Sequence, residues 1–429
     1  MISFEEFLAE EWKPALGCTE PASIAYAAAL AASQSDGPIR SVHVRCDPRI
    51  YKNCYAVGIP HSGHKVGILW ALAIGSLLPD PTAKLEVFRQ ITPDILSESA
   101  RLIEENAVTV EVDLSQQQLV VDCSVIRSGG SGRALIERDH TRLVRLETNG
   151  RPVAIEGQGG PEGLPGAGTV PKIPVREALA RLRFEDLLSM ARSLTPPDRY
   201  TLRKGAELNI AIARHGLTLL PKPFMDLIGT DALTRISRLV SAGVYARMSG
   251  EDLVVMSLAG SGNKGIVTSV PIVLWGREIG ASEELMDGAL ATACLFASAT
   301  TFHLGTLSAA CGCSNAAGVG LAAGLVVLQG GDLRAVSLAV NNIVGNVTGM
   351  ICDGAKIGCA LKTMTSVDAA FRAASLAMNG MGIPETDGIV GADGMESLAN
   401  LGKIATLGMS AMDGQILQIM QAKLRHEGN

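Results

Sequence analysis

The sequence predicts an α+β protein in two unequal parts. An N-terminal α+β domain with an antiparallel sheet is expected over residues 1–156, and an all-α, Ala/Gly-rich helical domain over 173–429. Three observations carry this. Between Ala107 and Glu156 apolar residues recur with a period near two, in AVTVEVDL, LVVDCSVIRS, RALIERD, LVRLETNG and RPVAIE, as in half-buried strands. Gly157 to Pro171 is dense in glycine and proline, so 157–172 reads as a linker or as a long loop over a site. Beyond it strand signals nearly vanish. Hydrophobic residues make up 47% of the chain and aromatics only 4%, so Ala, Gly, Leu and Val must fill the interior, which favours closely packed helices.

The elements follow in order. Ser3 with Glu6 forms a capping-box pattern that opens a short acidic helix. Thr19 is placed to cap a second helix from Pro21 to Ala32, since proline is welcome in a first turn. SVHVRCD (Ser41 to Asp47) and YAVGIP alternate like strands. HSGHKVGILWALAIGSLL reads as a loop entering an apolar helix. Asn149-Gly150 is a hairpin turn signal. VREALARLRFEDLLSMARSL, TLRKGAELNIAIARHGL and PFMDLIGTDALTRISRLVSAGVYARM are helical by spacing. From Gly280 onward Ala-rich helices alternate with Gly-rich breaks.

A net charge of -6 and a pI near 5.7 give no reason to expect nucleic acid or an anionic membrane as partner. The N-terminal MISFEEFLAEEWKP has no apolar signal-peptide core. The most membrane-like run, Ala316 to Leu328, is about 13 residues, short of the ~20 that span a bilayer, and reads as a buried helix. Nine cysteines without an export signal imply free thiols in a cytoplasmic, reducing compartment. A homodimer is compatible with the Ala/Gly-rich helices.

The cysteines carry the chemistry. Cys311 and Cys313 bracket a glycine in SAACGCSNAAGVG, and Cys352 and Cys359 lie in GMICDGAKIGCALK. Histidine is scarce, and the sulfurs sit in apolar sequence rather than zinc knuckles, so three thiolates around an iron–sulfur cluster fit better than zinc. Such a cluster leaves one iron free to act as a Lewis acid. The competing reading is that these are small buried apolar residues. In SLAGSGNKGIVTSVP, a glycine loop with Ser261, Gly262 and Asn263 opens a helix, a site for a carboxylate or phosphate. Lys264 there is also compatible with a pyridoxal phosphate Schiff base. Cys18, in PALGCTEPAS, precedes a helix start, where the dipole favours thiolate and Glu20 opposes it. Arg49, Tyr51, Lys52, Asn53, His61, Ser62 and His64 cluster in a segment with little regular structure and are candidates for substrate contacts. Cys46, Cys54, Cys123 and Cys294 are assigned to core packing.

Taken together, GCTEPAS, GSGNKG, CGCSNAAG and GMICDGAKIGCALK resemble the L-cysteine desulfidase family, which is related to the α chain of iron–sulfur L-serine dehydratases. The motifs stand in family order, and the resemblance covers most of the chain. It implies a 4Fe-4S cluster held by three cysteines, and breakdown of L-cysteine to pyruvate, ammonia and sulfide, or of L-serine to pyruvate and ammonia. The ligand motifs fall on Gly312-Cys313 and Cys352-Asp353. The third ligand falls on Cys359, at a spacing shorter than the dehydratase pattern, with Cys311 as the substitute. The family's N-terminal cysteine falls on Cys18, which takes the Cα proton or approaches the open iron. The Ser261–Asn263 loop corresponds to the dehydratase loop expected to hold the substrate carboxylate. Apart from the resemblance, the polar residues around Lys52, Asn53, His61 and His64 are expected to close the site. A non-enzymatic iron–sulfur sensor or scaffold is the alternative outside catalysis.

Overall fold

The computed structural model describes residues 2–116, 118–155, 173–222, 224, 231–305 and 307–427. The expected linker, 157–172, lies outside the described residues.

Helix α1 (Phe4–Glu11) opens on the expected capping box, with Glu6 N–H donating to Ser3 Oγ at 3.1 Å and Ser3 N–H to Glu6 Oε2 at 3.0 Å. Strand β1 (Trp12–Leu16) follows. It pairs antiparallel with a strand far along the chain, Val254–Leu258, with Trp12 opposite Leu258. Residues of α1 and β1 therefore share one apolar core with the helical half.

Helix α2 (Thr19–Ala32) starts two residues earlier than the proline suggests, with Cys18 at the N-cap. All but one of its residues are buried. It packs on one side against the sheet and on the other against α4 (Ile68–Leu77). An Ala-rich helix serves here because small side chains let its neighbours approach closely. Cys18 belongs to the core of the helical half and Ala22 onward to the core of the sheet, so the start of α2 lies at the seam between the two.

The sheet contains β2 (Ile39–Cys46), β3 (Val108–Val112), β4 (Val120–Arg127), β5 (Gly130–Glu137), β6 (Leu143–Thr148) and β7 (Arg151–Pro152), in the order β3-β2-β4-β5-β6-β7. Alternation holds: Val121, Cys123 and Val125 of β4 face the core. Asn149 and Gly150 both have positive φ (49° and 75°), as the hairpin turn between β6 and β7 requires. The β2–β3 pair is parallel within an otherwise antiparallel sheet. The chain reaches β3 through a helical crossover containing α3 (Pro48–Cys54), α4 and α5 (Pro93–Glu104).

The region around Lys52, expected to lack regular structure, is helical. Asp47 caps α3 by accepting from the N–H groups of Arg49 and Ile50 at 2.8 and 3.1 Å, and Pro48 follows at the first helical position. YAVGIP forms no strand beyond a single bridge between Gly58 and Val66.

The helical half comprises α6 (Val175–Ala180), α7 (Phe184–Arg192), α8 (Pro196–Leu217), α9 (Ala232–Ser249), β8 (Val254–Leu258), α10 (Gly262–Glu278), α11 (Glu283–Leu304), α12 (Asn315–Leu328), α13 (Leu333–Val347), α14 (Cys359–Met378), α15 (Gly394–Lys403) and α16 (Met412–Glu427). Gly320 and Gly324 of α12 face Ala293 and Ala289 of α11, so those backbones run in contact. By length and composition α11 is apolar enough to cross a membrane, and 78% of its most apolar stretch is buried inside the fold. The run from Ala316 to Leu328 falls in α12 and is almost wholly buried, as a core helix is. Finally α16 returns to α3, where Ile416, Leu417 and Met420 pack near Tyr51 and Tyr55.

Candidate active site

The GSGNKG loop is a tight turn between β8 and α10. Ala259 and Gly260 both have positive φ (48° and 77°), a strained pairing for which glycine suits the second position. Leu258 and Ser261 close the turn through mutual backbone hydrogen bonds of 3.0 Å. Lys264 braces it from below: its Nζ donates to Ala259 O at 2.7 Å and to Thr301 Oγ1 at 3.1 Å. Burial, aided by Arg176, pulls the Lys264 amine down to about 8. Its role as a brace accounts for its place in the loop without a Schiff base.

Ser261 occupies the N-cap of α10, yet its hydroxyl makes no capping bond. It lies 3.6 Å from Cys313 Sγ instead. Among the described residues the first N–H groups of the helix are thus left without a side-chain cap, which is the arrangement that attracts an anion.

The structure supplies a second anion-seeking group that sequence reasoning missed. Arg247, on α9, is only 2% exposed. Its Nη1 donates to Asn263 Oδ1 at 3.0 Å, while Nε and Nη2 have no partner among the described residues. The guanidinium lies directly against Gly262, where a Cβ would collide with it. A buried guanidinium with open donors is costly unless something negative pairs with it. One sequence signal existed: Arg247 continues the buried Val240, Gly243, Val244 face of its helix, an apolar position filled by a charge.

Cys18 is tied to the loop through its neighbour Thr19. Its Sγ donates to Glu20 Oε2 at 2.8 Å, and Thr19 Oγ1 bridges Glu20 Oε2 (3.0 Å) and the Gly260 carbonyl (3.2 Å). Burial, and next the Glu20 charge, push the Cys18 thiol well above its usual value, with Arg247 pulling the other way. The helix start alone therefore does not make this thiol a thiolate.

The two C-terminal cysteine motifs run side by side. Ala310 and Ile351 form an antiparallel bridge, with Cys311 N–H donating to Met350 O at 2.8 Å and Cys352 N–H to Ala309 O at 2.7 Å. Cys359 opens α14 and its Sγ donates to Gly354 O at 3.6 Å. Cys313 and Cys352 are partly exposed, whereas Cys311 and Cys359 are buried. A hydrogen bond from Cys311 lowers the Cys313 thiol against the effect of burial, with Ser261 and Lys264 assisting. The same bond, and then burial, raise Cys311 well above the usual thiol range. Burial raises Cys352 against the pull of Lys52, and lifts Cys359 to about 12.

Among the described residues no three His, Cys, Asp or Glu side chains converge to hold a single metal ion. A cubane cluster does not ask for that, because each ligand binds a different iron. Soft thiols gathered from two paired segments, one of them already the easiest to ionise, fit an iron–sulfur group. Asp353 pairs with Lys356 and Lys362, which hold it at about 2 despite burial.

The remaining candidates lie elsewhere. Lys52 is fully enclosed, not set in an open loop. Its three donors are taken by Asp413, by Cys352 O at 2.7 Å and by Ser308 O at 3.4 Å. It forms the wall behind the cysteine motif. Asn53 bonds along its own helix to Arg49 O at 2.9 Å. His61 pairs with Asp252, Nδ1 to Oδ2 at 3.1 Å, just past the C-terminal end of α9, and His64 lies 3.5 Å from the O of Ser249, the last residue of that helix. The structure thus links the Cys18 helix to the Ser261–Asn263 loop through Thr19, the loop to Cys313 through Ser261, and Cys313 to the neighbourhood of Cys311, Cys352 and Cys359. Lys52 and Asn53 are structural neighbours, and no contact joins His61 to the loop among the described residues.

The start of α10 and the paired cysteine segments lie within the region that matches the serine dehydratase alpha chain family model, residues 180–418, and the chain belongs to that family. It is a family of lyase-like enzymes, generally linked to iron–sulfur clusters. Along its whole length the chain is similar to proteins named UPF0597. It is 35% identical to one from Geobacter sulfurreducens over 99% of both chains. It is 36% identical to one from Desulfotalea psychrophila, over 98% of this chain and 99% of the relative, and 33% identical to one from Clostridium tetani, over 97% of both.

Proposed function

We propose that this protein is an iron–sulfur-dependent lyase that degrades L-cysteine to pyruvate, ammonia and sulfide by α,β-elimination, with L-serine as the alternative substrate. The observation that carries the reading is one continuous chain of contacts. It runs from the Cys18 helix through Thr19 and Gly260 to Ser261, and from Ser261 to Cys313.

The substrate α-carboxylate is expected at the start of α10, where uncapped N–H groups meet the open donors of Arg247. Asn263 holds the guanidinium in place. Lys264 keeps the turn rigid, so the carboxylate site is organised before the ligand arrives. Cys18, linked to Gly260 through Thr19, is the base for the α-proton once its own proton has been removed. Cys313, Cys352 and Cys359 would hold a 4Fe-4S cluster, which when bound supplies a Lewis acid for the β-thiol or β-hydroxyl as it leaves. Cys311 serves as hydrogen-bond donor to Cys313 in this reading. The aminoacrylate released hydrolyses without help from the protein.

The test is anaerobic purification with iron and sulfide analysis, followed by pyruvate and sulfide assays with L-cysteine and L-serine on the same sample. A cluster with pyruvate from one amino acid supports the lyase and names its substrate. A cluster without turnover of either substrate favours a sensor. Absence of iron after anaerobic reconstitution refutes the reading.

A further inference from the structure

A buried thiol that must act as a base needs somewhere to send its proton. Cys18 is enclosed, and among the described residues its only polar side-chain acceptor is Glu20, at 2.8 Å. The other oxygen of that carboxylate, Oε1, faces His140 Nε2 at 4.0 Å. His140 lies in the turn between β5 and β6 and is 2% exposed, and its Nε2 has no hydrogen-bond partner among the described residues. The turn is pinned to the same helix face by Ser23 Oγ, which donates to His140 O at 2.7 Å. Glu20 and Ser23 are three residues apart, so α2 presents both toward the turn.

His140 does not end in the core. It lines an open cleft of about 370 Å³, together with Lys13, Asp139, Arg176, Ser257 and Gly260. The charged groups around the ring are Glu20 from α2, Asp139 in its own turn, Lys13 from β1, and the Arg176–Glu11 pair from α6 and α1.

We propose that Glu20 and His140 are relay residues that carry the Cys18 proton to this cleft. The inference rests on Cys18 being the base. The thiol S–H bond breaks and its proton bonds to Glu20 Oε2, leaving thiolate. A half-turn of the carboxyl brings the protonated oxygen to His140 Nε2, directly or through one bridging water. The ring accepts the proton there and releases its Nδ1 proton to water in the cleft. Glu20 and His140 return to their starting charges, and one proton has left the site. Cys18 then takes the substrate α-proton and is a thiol again, and that proton leaves by the same route once the ring, now protonated on Nε2, has turned into the cleft and regained its Nδ1–H tautomer by proton exchange with water. The unpaired Nε2 is explained by this task. As a purely structural group it would be a buried ring nitrogen left without a bond, at a cost.

The test follows the Cys18 S–H band by infrared spectroscopy in the full-length protein transferred from H2O to D2O. The band is assigned by its absence in C18S. Exchange is expected to slow about tenfold or more in both E20Q and H140Q. H140N is the second variant should H140Q not fold. Wild-type exchange rates in both positions overturn the relay whether or not the protein turns over any amino acid, so the result is separable from the lyase reading. Where turnover is observed, H140Q is expected to lower kcat roughly 10²-fold with KM unchanged. Imidazole added to H140G is expected to restore part of that rate through the cleft, whereas an unaltered kcat in H140Q overturns the relay.

Discussion

Replacing Asp413 by Asn tests how the C-terminal helix holds the cysteine cluster. Lys52 is fully enclosed, and Asp413 accepts from it and, at 2.8 Å, from Arg49 Nε. Neutralising Asp413 leaves the Lys52 ammonium with only the Cys352 and Ser308 carbonyls. Arg49 keeps its bond to Leu307 O at 2.8 Å. Removing one partner of a buried pair costs about 3–5 kcal/mol, because the remaining charge stays buried without compensation. Lys52 has no exposed surface, so solvent does not screen the charge that remains. The assay is urea unfolding combined with native-state hydrogen exchange. Exchange is expected to rise first in α16 and in residues 350–352. The double variant K52M/D413L, apolar on both sides, is expected to return to within about 1 kcal/mol of wild type. The pH dependence has a defined sign. Although burial opposes it, Lys52 and Arg49 hold the Asp413 carboxyl below its usual value. Its contribution is therefore complete above the unfolded carboxyl pKa of about 3.9 and is lost as the pH falls through the lower folded value. The gap between wild type and D413N should shrink in that acid range. A destabilisation at neutral pH below about 1 kcal/mol, the worth of an exposed pair, would refute the reasoning.

Two other outcomes are expected. In reduced, metal-free protein Cys313 should be the first thiol alkylated, since it is partly exposed and lowered, while Cys18 and Cys311 react last; peptide mapping by mass spectrometry reads the order, and early labelling of Cys18 would contradict the burial argument. R247M should raise KM by roughly tenfold to a hundredfold, from the loss of about 1.5–3 kcal/mol of charge-assisted bonding to the carboxylate, without lowering the melting temperature, because the two open donors of the buried guanidinium, Nε and Nη2, are a cost to the unliganded fold that outweighs its one bond to Asn263. An unchanged KM would remove Arg247 from the carboxylate site.

What the sequence disclosed and what it hid divide along the range of the interactions. Features written in neighbouring residues were legible: the Ser3–Glu6 box, the Asn149-Gly150 turn, the alternation of β4, and the glycine loop at the start of α10. The Asp47 cap and Pro48 of α3 were equally local signals, but the polar side chains after them outweighed the start signal and the segment read as a loop. Lys52 stands out in the sequence by its polar neighbours, whereas in the fold its burial is what matters. A lysine in a polar run looks solvent-facing until a residue more than 350 positions away, Asp413, closes over it. Arg247 and His140 depend in the same way on partners from other elements, Asn263 and Gly262 for the one and Glu20 for the other. The parallel β2–β3 pair and the strand exchange of β1 with β8 have no local signature either, because register between distant segments is set by the packing of both faces. The candidate site was found through its cysteines and glycines because their spacing is a local property. The groups that would bind the carboxylate and remove the proton are long-range, and they emerge only once α2, α9 and α10 are folded around one turn.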